Sequence, residues 1–557
     1  MNNKLLTILS VFLALAILGG CKPSGDEKEK EDKYKIPLRE IEKKVESFAK
    51  VELKTDLSHL SENQKEMLTY LFDAAKIMDD IFWTQIIGEK EEILSKYDEK
   101  AVKEYIKINY GPWEALNNNE PFLKGYGPRP EGAQFYPNDM TKEEFEESDA
   151  ENKAGLYTLV KRDENGELYT VPYHEAYNEQ VKKASDLIKK AAELAEDEGF
   201  KKYLELRSEA LLDDEYRKSD FAWLEMTDND IDFIVGPIET YQDQLYGNKA
   251  AHESFILIKD KEWSKKLSKY TSLLPKLQKM LPVEQKYKNE TPGSSGNQLN
   301  VYDAVYYAGD CNYGSKTIAI NLPNDPVVRE KSGSRKLQLK NSMKAKFDNI
   351  LVPISKELID PSQRENVTFD AFFANTMFHE VGHGLGLSYL AEDKETSVRG
   401  ALKKYYTSIE EGKADILGLY IVDQLYEMGE LGDVDLMDYY VTFFTSIFRS
   451  SRFGVASAHG KANMMRFYYL KEKGAFTRDP ETGTYKVHFE KMRKAMKSLA
   501  EKILKIQGDG DFEKAKAWVE EDGKIKENLQ KDLDRVNEAG IPRDIRFKQG
   551  KSVLGLE

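Results

Sequence analysis

In the stretch Phe378-His379-Glu380-Val381-Gly382-His383-Gly384, two histidines stand four residues apart with a glutamate directly after the first. On a helix, residues i and i+4 project from one face a turn apart. Two neutral imidazoles so placed can grip one Zn²⁺, with Glu380 beside the open coordination position, able to take a proton from water there. The preceding run Phe372-Phe373-Ala374-Asn375-Thr376-Met377-Phe378 gives this helix an apolar face with which to bury the site. A helix whose histidines merely face water or pack in a core carries the same pattern, so a second cluster has to decide.

That cluster is Ser408-Ile409-Glu410-Glu411-Gly412-Lys413-Ala414-Asp415-Ile416-Leu417-Gly418. A catalytic zinc with two histidines takes a carboxylate as third ligand and leaves the fourth position to water. Glu411 and Asp415 are again i and i+4. One carboxylate can ligate while a neighbour accepts a hydrogen bond from a ligand imidazole. A solvated acidic turn would read the same, but Asp415 leads directly into Ile-Leu-Gly-Leu-Tyr. Acids entering an apolar helix need a partner, and a metal site supplies one.

With both clusters in view, the chain resembles the dipeptidyl peptidase III family of zinc exopeptidases. That family pairs a His-Glu motif with a downstream Glu-Glu-x-Arg/Lys-Ala-Glu/Asp motif, matched by Glu410-Glu411-Gly412-Lys413-Ala414-Asp415. The resemblance implies His379, His383 and Glu411 as ligands of one Zn²⁺ per chain and Glu380 as general base. Glu410 and Asp415 become the acceptors that orient the two histidines. Most members place three residues between the glutamate and the second histidine; this chain has two, Val381 and Gly382.

Further segments acquire meaning from the same resemblance. Ile231–Tyr241 and Ser254–Lys259 read as strands, and spacing alone puts Glu239 and Tyr241 on a solvent face. The family's Glu-Ser/Thr-Tyr segment, matched by Glu239-Thr240-Tyr241, implies that Glu239 holds the substrate's terminal ammonium and Tyr241 meets the scissile carbonyl. Asn321 and Asn324 flank a proline and are turn formers by type. The family's Asn-Ile/Leu-Pro-Asn segment implies that they help bind the peptide amino terminus. His459, by itself more often structural, falls on a His-x-x-Ala segment whose histidine steadies the oxyanion; many members have arginine where Asn463 stands.

The amino terminus carries Lys4, an apolar run from Leu5 to Leu18, and Gly19-Gly20-Cys21. A short apolar core behind a basic start is a secretion signal, since a spanning helix needs about 20 apolar residues. Leu18-Gly19-Gly20-Cys21 resembles a bacterial lipobox, implying lipidation of Cys21 and an exported, membrane-anchored lipoprotein, periplasmic or at the cell surface; an ordinary signal peptide with an incidental cysteine is the alternative. Residues 22–35 read as a flexible tether. With only Cys21 and Cys311 present, no disulfide framework exists, and Cys311 has no base beside it to act as a nucleophile.

At 557 residues the chain is too long for one core. A net charge of −15 argues against nucleic acid as partner, and no segment calls for an obligate protein partner. Helical spacing dominates 36–110, an irregular Gly/Pro stretch follows, Thr141 opens a capping box, and Asn165-Gly166 marks a hairpin. The expected fold is α+β and predominantly helical, with two lobes and a cleft between them. A mixed lobe with a small β-barrel takes 36–260, about 300–350 and 541–557. A helical zinc-binding lobe takes 261–299 and 351–540. The expected function is release of dipeptides from the amino terminus of short peptides. A zinc endopeptidase or other hydrolase, and a non-catalytic surface lipoprotein with a structural zinc site, are the alternatives.

Overall fold

The computed structural model describes residues 33–288, 298–455 and 457–556. The expected leader, Cys21 and nearly all of the expected tether fall outside them. No helix among the described residues is long and apolar enough to cross a membrane. The architecture is α+β and predominantly helical.

Its central sheet contains β1 (Ile231–Glu239), β2 (Ala251–Lys259), β3 (Gln298–Gly309), β4 (Ala319–Leu322) and β5 (Arg335–Leu339), in the order β1-β2-β3-β5-β4. β3 and β5 pair in parallel and the other neighbours are antiparallel. The expected barrel does not close: β1 and β4 remain edges. Each edge carries a proline at the end where they approach, Pro237 in β1 and Pro323 just beyond β4, and neither offers an N–H to a ladder. A side chain makes the contact instead, Asn324 Nδ2 donating to the Ile238 carbonyl at 3.3 Å. The β1–β2 register slips between Pro237 and Glu239. A bulge of this kind re-aims the side chain that follows it, and here that side chain is Glu239.

The buried apolar side chains form two separate clusters. One spans Tyr34 to Ile258 and returns with Tyr302 to Leu339. The other takes Leu267 to Leu281, Val301 and then Met343 to Ile541. The second cluster holds α1 (Phe369–His383), α2 (Tyr406–Glu427), α3 (Leu436–Ser451) and α4 (Ala458–Glu472).

Turn and cap chemistry proved readable. Thr141 and Glu144 form the capping box, and the hairpin strands Thr158–Arg162 and Leu168–Pro172 flank Asn165-Gly166. Ile41, Val45 and Phe48, which share a helical face by spacing, do not share a helix. The helix ends at Glu46, and Phe48–Glu52 pairs in parallel with Asp544–Lys548. A strand whose partner lies at the far end of the chain leaves no local trace.

Candidate metal centre and cleft

Thr368 caps α1 through the Ala371 N–H. Phe372, Phe373, Met377 and Phe378 are buried, and this holds the last turn of α1 against α2. The two helices run antiparallel, and two glycines set their separation. A Cβ on Gly382 would stand 2.5 Å from the Ala414 carbonyl oxygen, and one on Gly418 would stand 2.8 Å from the His379 nitrogen. Backbone meets backbone at both points, bringing the acids of α2 under the histidines of α1.

His379 Nδ1 lies 2.7 Å from Asp415 Oδ1, and His383 Nδ1 lies 3.0 Å from Glu410 Oε1. Each ring therefore turns its Nε2 inward, with the ring planes at 88° and the two Nε2 atoms 3.2 Å apart. Glu411 Oε2 lies 3.5 and 3.8 Å from them. His379, His383 and Glu411 thus offer three ligand atoms within 4.8 Å of one another. Two nitrogens bound tetrahedrally to one zinc at 2.0–2.1 Å would stand about 3.3 Å apart. Glu411 Oε2 is buried and accepts no hydrogen bond, although His459 Nδ1 is 3.2 Å away. Two imidazole lone pairs and an unsatisfied carboxylate oxygen facing one point need a cation between them, so the residues fit a metal ion.

Both supporting acids are themselves held. Burial raises the Glu410 pKa, but the Lys413 ammonium at 2.9 Å and the His383 ring outweigh it and bring the carboxyl down to about 2. Gln507 Nε2 donates to its other oxygen at 2.8 Å. Asp415 is likewise kept ionised against burial, chiefly by the Arg466 guanidinium 2.5 Å from Oδ2. Asn463 sits beside that pair, accepting from Arg466 and donating to Ser450 Oγ at 2.6 Å.

The His379 ring carries the consequence. Burial disfavours its charge, yet Asp415, with Glu380 and Glu411, pushes its pKa up to about 9. Below that pH a metal must displace a proton to bind. Apparent affinity should rise about tenfold per pH unit from 6 to 8 and level off near 9. Competition titrations against a chelating dye, corrected for dye protonation, measure this slope. A flat profile would mean the site does not hold that proton.

His379, Glu380, Asp415 and His459 line a cavity of about 820 Å³, and so do Glu239, Tyr241, Asn321 and Asn324 from the sheet. His383, Glu410 and Glu411 do not line it. Burial raises the Glu239 carboxyl pKa, and a hydrogen bond from Asn324 opposes it. Tyr241 is 73 % exposed. Cys311 is buried, its thiol pushed up by burial, as suits a structural role. One contact had no sequence signal. Lys336 of β5 crosses to α1, donating from Nζ to the Glu380 carbonyl at 2.6 Å, with Nζ 3.9 Å from Glu380 Oε2. Arg466 and Gln507 were equally silent, since a lone basic or amide residue on a helix has no distinctive pattern.

Residues 140–413 match the model of peptidase family M49. A dipeptidyl peptidase III structure from Caldithrix abyssi is 39% identical, with a TM-score of 0.88 over 93% of this chain and 100% of that one. A dipeptidyl-peptidase III structure from Corallococcus sp. strain EGB is 33% identical, with a TM-score of 0.76 over 91% of this chain and 96% of that one. Among curated proteins, Nudix hydrolase 3 of Arabidopsis thaliana is 34% identical over 91% of this chain and 73% of its own length. Dipeptidyl peptidase 3 of Dictyostelium discoideum is 26% identical over 38% of this chain and 30% of its own.

Proposed function

The chain belongs to the dipeptidyl peptidase III family, peptidase family M49, and from this premise we propose that it is a zinc-dependent exopeptidase releasing dipeptides from the amino terminus of short peptides. The observation that carries the proposal is one cavity with His379 and Glu380 on one wall and Glu239, Asn321 and Asn324 on another. Zinc held by His379, His383 and Glu411 would polarise the scissile carbonyl and lower the pKa of water to about 7. Glu380 takes the proton of the attacking water and returns it to the leaving amine. Tyr241 and His459 donate to the developing oxyanion. Glu239 binds the substrate ammonium with the Asn321 and Asn324 amide oxygens as further acceptors, fixing the register two residues from the cut.

The two apolar clusters support a reading as two lobes with the cavity as their cleft, closing on peptide. A structural zinc site would be closed by four protein ligands, whereas three converge here beside an open cavity. An endopeptidase would have no use for a carboxylate and two amides at the end of its cleft. The deciding experiment is arylamide release from a dipeptidyl-arylamide by the purified chain, with zinc, with chelator, and with the substrate amine acetylated. Release that survives acetylation would overturn the exopeptidase assignment.

We also propose, from residues 1–21, that the protein is exported and anchored through a lipid on Cys21. Palmitate labelling in a bacterial host should disappear in Cys21→Ser; persistent labelling would refute the anchor.

A further inference from the structure

Lys336 stands on β5 with a strand on either side, opposite Leu299 of β3 and Asn321 of β4. Directly opposed residues of an antiparallel pair share one face of the sheet, their Cβ atoms about 5 Å apart. Lys336 therefore rises beside Asn321, on the face that looks into the cleft. The strand is pinned at this point. Its preceding residue, Arg335, projects from the opposite face, where it is 1% exposed and tied to Asp232 and to the Met226 carbonyl.

From that fixed point the Lys336 side chain crosses to α1. In a continuing helix the Gly384 N–H would reach the Glu380 carbonyl, but it bonds to Val381 instead. The Glu380 carbonyl is among the last four of α1, which have no N–H of their own helix to accept from. Lys336 Nζ donates to it at 2.6 Å, and a cation at a helix C-terminus is favoured by the helix dipole as well. The same Nζ lies 3.9 Å from Glu380 Oε2, so it flanks the carboxylate while holding the turn that carries it. The side chain is 9% exposed, which leaves water little access to the contact.

The two metal-site helices are joined to each other by other means. Gly382 and Gly418 bring their backbones together, and Lys413 Nζ of α2 donates to the Leu385 carbonyl just beyond α1 at 2.8 Å. Loss of the Lys336 contact should therefore leave the ligand residues assembled and loosen α1 against the sheet alone.

On the dipeptide register proposed above, we propose that Lys336 is a positioning residue that sets the spacing between the anchor for the substrate's amino terminus and the general base, and so fixes the cut after the second residue. Its backbone lies in register with Asn321 and its ammonium grips Glu380. One more residue lengthens an extended peptide by about 3.5 Å, so freedom of that order at the last turn of α1 admits a cut one residue further on.

The test compares wild type, Lys336→Met and Lys336→Arg on one unblocked hexapeptide of six different residues, with products identified by mass spectrometry. Metal content and melting temperature are measured on the same preparations. Methionine fills nearly the same space without a donor, and arginine keeps one. Wild type should release dipeptides alone, which establishes the register before either variant is read. Lys336→Met should lose about 30-fold or more in kcat with KM within about threefold of wild type, because the base is displaced while Glu239 and Asn324 still hold the ammonium. Its metal should stay stoichiometric, and tripeptide should reach at least about a tenth of its product. Lys336→Arg should release dipeptides alone. A Lys336→Met enzyme with wild-type rate and products, or a slow one that still releases only dipeptides, overturns the proposal and leaves the register standing. Loss of metal or of the fold in Lys336→Met does the same, since Lys336 is then a helix cap and no more. Tripeptide as abundant from Lys336→Arg as from Lys336→Met denies the hydrogen bond its role and overturns it too. A wild type that releases no dipeptide sinks the register itself, and this proposal with it.

Discussion

Glu380→Gln should lower kcat on a dipeptidyl-arylamide by about 10³-fold, roughly 4 kcal/mol of transition-state stabilisation, with the metal still bound in stoichiometric amount. The expectation comes from where the carboxylate sits. Glu380 lines the cavity beside His379 but is not among the three converging ligand residues. The amide keeps the size and shape of the side chain and loses only the ability to accept a proton. The backbone contact from Lys336 to the Glu380 carbonyl also survives the substitution, so the last turn of α1 keeps its tie to the sheet. KM should change little, because Glu380 takes no part in holding the ammonium. Metal analysis and a full kinetic curve on the same preparation check all three points. Residual activity above a tenth of wild type, with metal in place, would show that another group takes the proton. His459, with Nδ1 3.2 Å from Glu411 Oε2, would be the first to examine.

The legibility of this site followed the range of the interactions that build it. The side chains that converge, and the acids beside them, were visible because each set is local: His379 and His383 are a helical turn apart, and Glu410, Glu411 and Asp415 lie close together on another helix. Helical spacing converts such proximity in sequence into proximity in space. Glu239, Asn321 and Asn324 took their significance from family resemblance, since a strand-end acid and two turn amides are ordinary by type. The partners that hold the acids, Arg466 and Gln507, and the tie from Lys336 come from distant segments and carry no pattern of their own. The same limit hid the pairing of Phe48–Glu52 with Asp544–Lys548. For the sheet, the expected closure was wrong for a reason visible only after folding. Pro237 in β1 and Pro323 just beyond β4 line one cavity, and neither can donate an N–H to a ladder there.

Gly418→Ala should damage the metal site far beyond the size of one methyl group, although Gly418 ligates nothing. Its Cβ would stand 2.8 Å from the His379 nitrogen and 2.9 Å from the Phe378 carbonyl carbon. Neither is the end of a flexible side chain, so relief requires α1 and α2 to move apart. Overpacking of this kind costs about 1–3 kcal/mol of stability. The larger effect falls on the metal, because His379 and His383 ride on one helix and Glu411 on the other. Separating them pulls the carboxylate oxygen from the imidazoles and loosens Asp415 and Glu410 from the rings they orient, and losing such orientation alone typically costs 10- to 100-fold in metal affinity. A loss of about 100-fold or more is therefore expected, together with a lower melting temperature. Gly412→Ala, on the same helix, is the control. Its Cβ would meet only Ile503 Cδ1 at 3.7 Å and Ala462 Cβ at 3.9 Å. Alanine in that open position should be tolerated, and even stabilising by up to about 1 kcal/mol through helix propensity. Metal titration and thermal melting of the two variants side by side separate a general cost of changing a helical glycine from the cost of forcing these two helices apart. If Gly418→Ala binds metal as tightly as wild type, the close approach at Gly382 and Gly418 is not what holds the ligands in register.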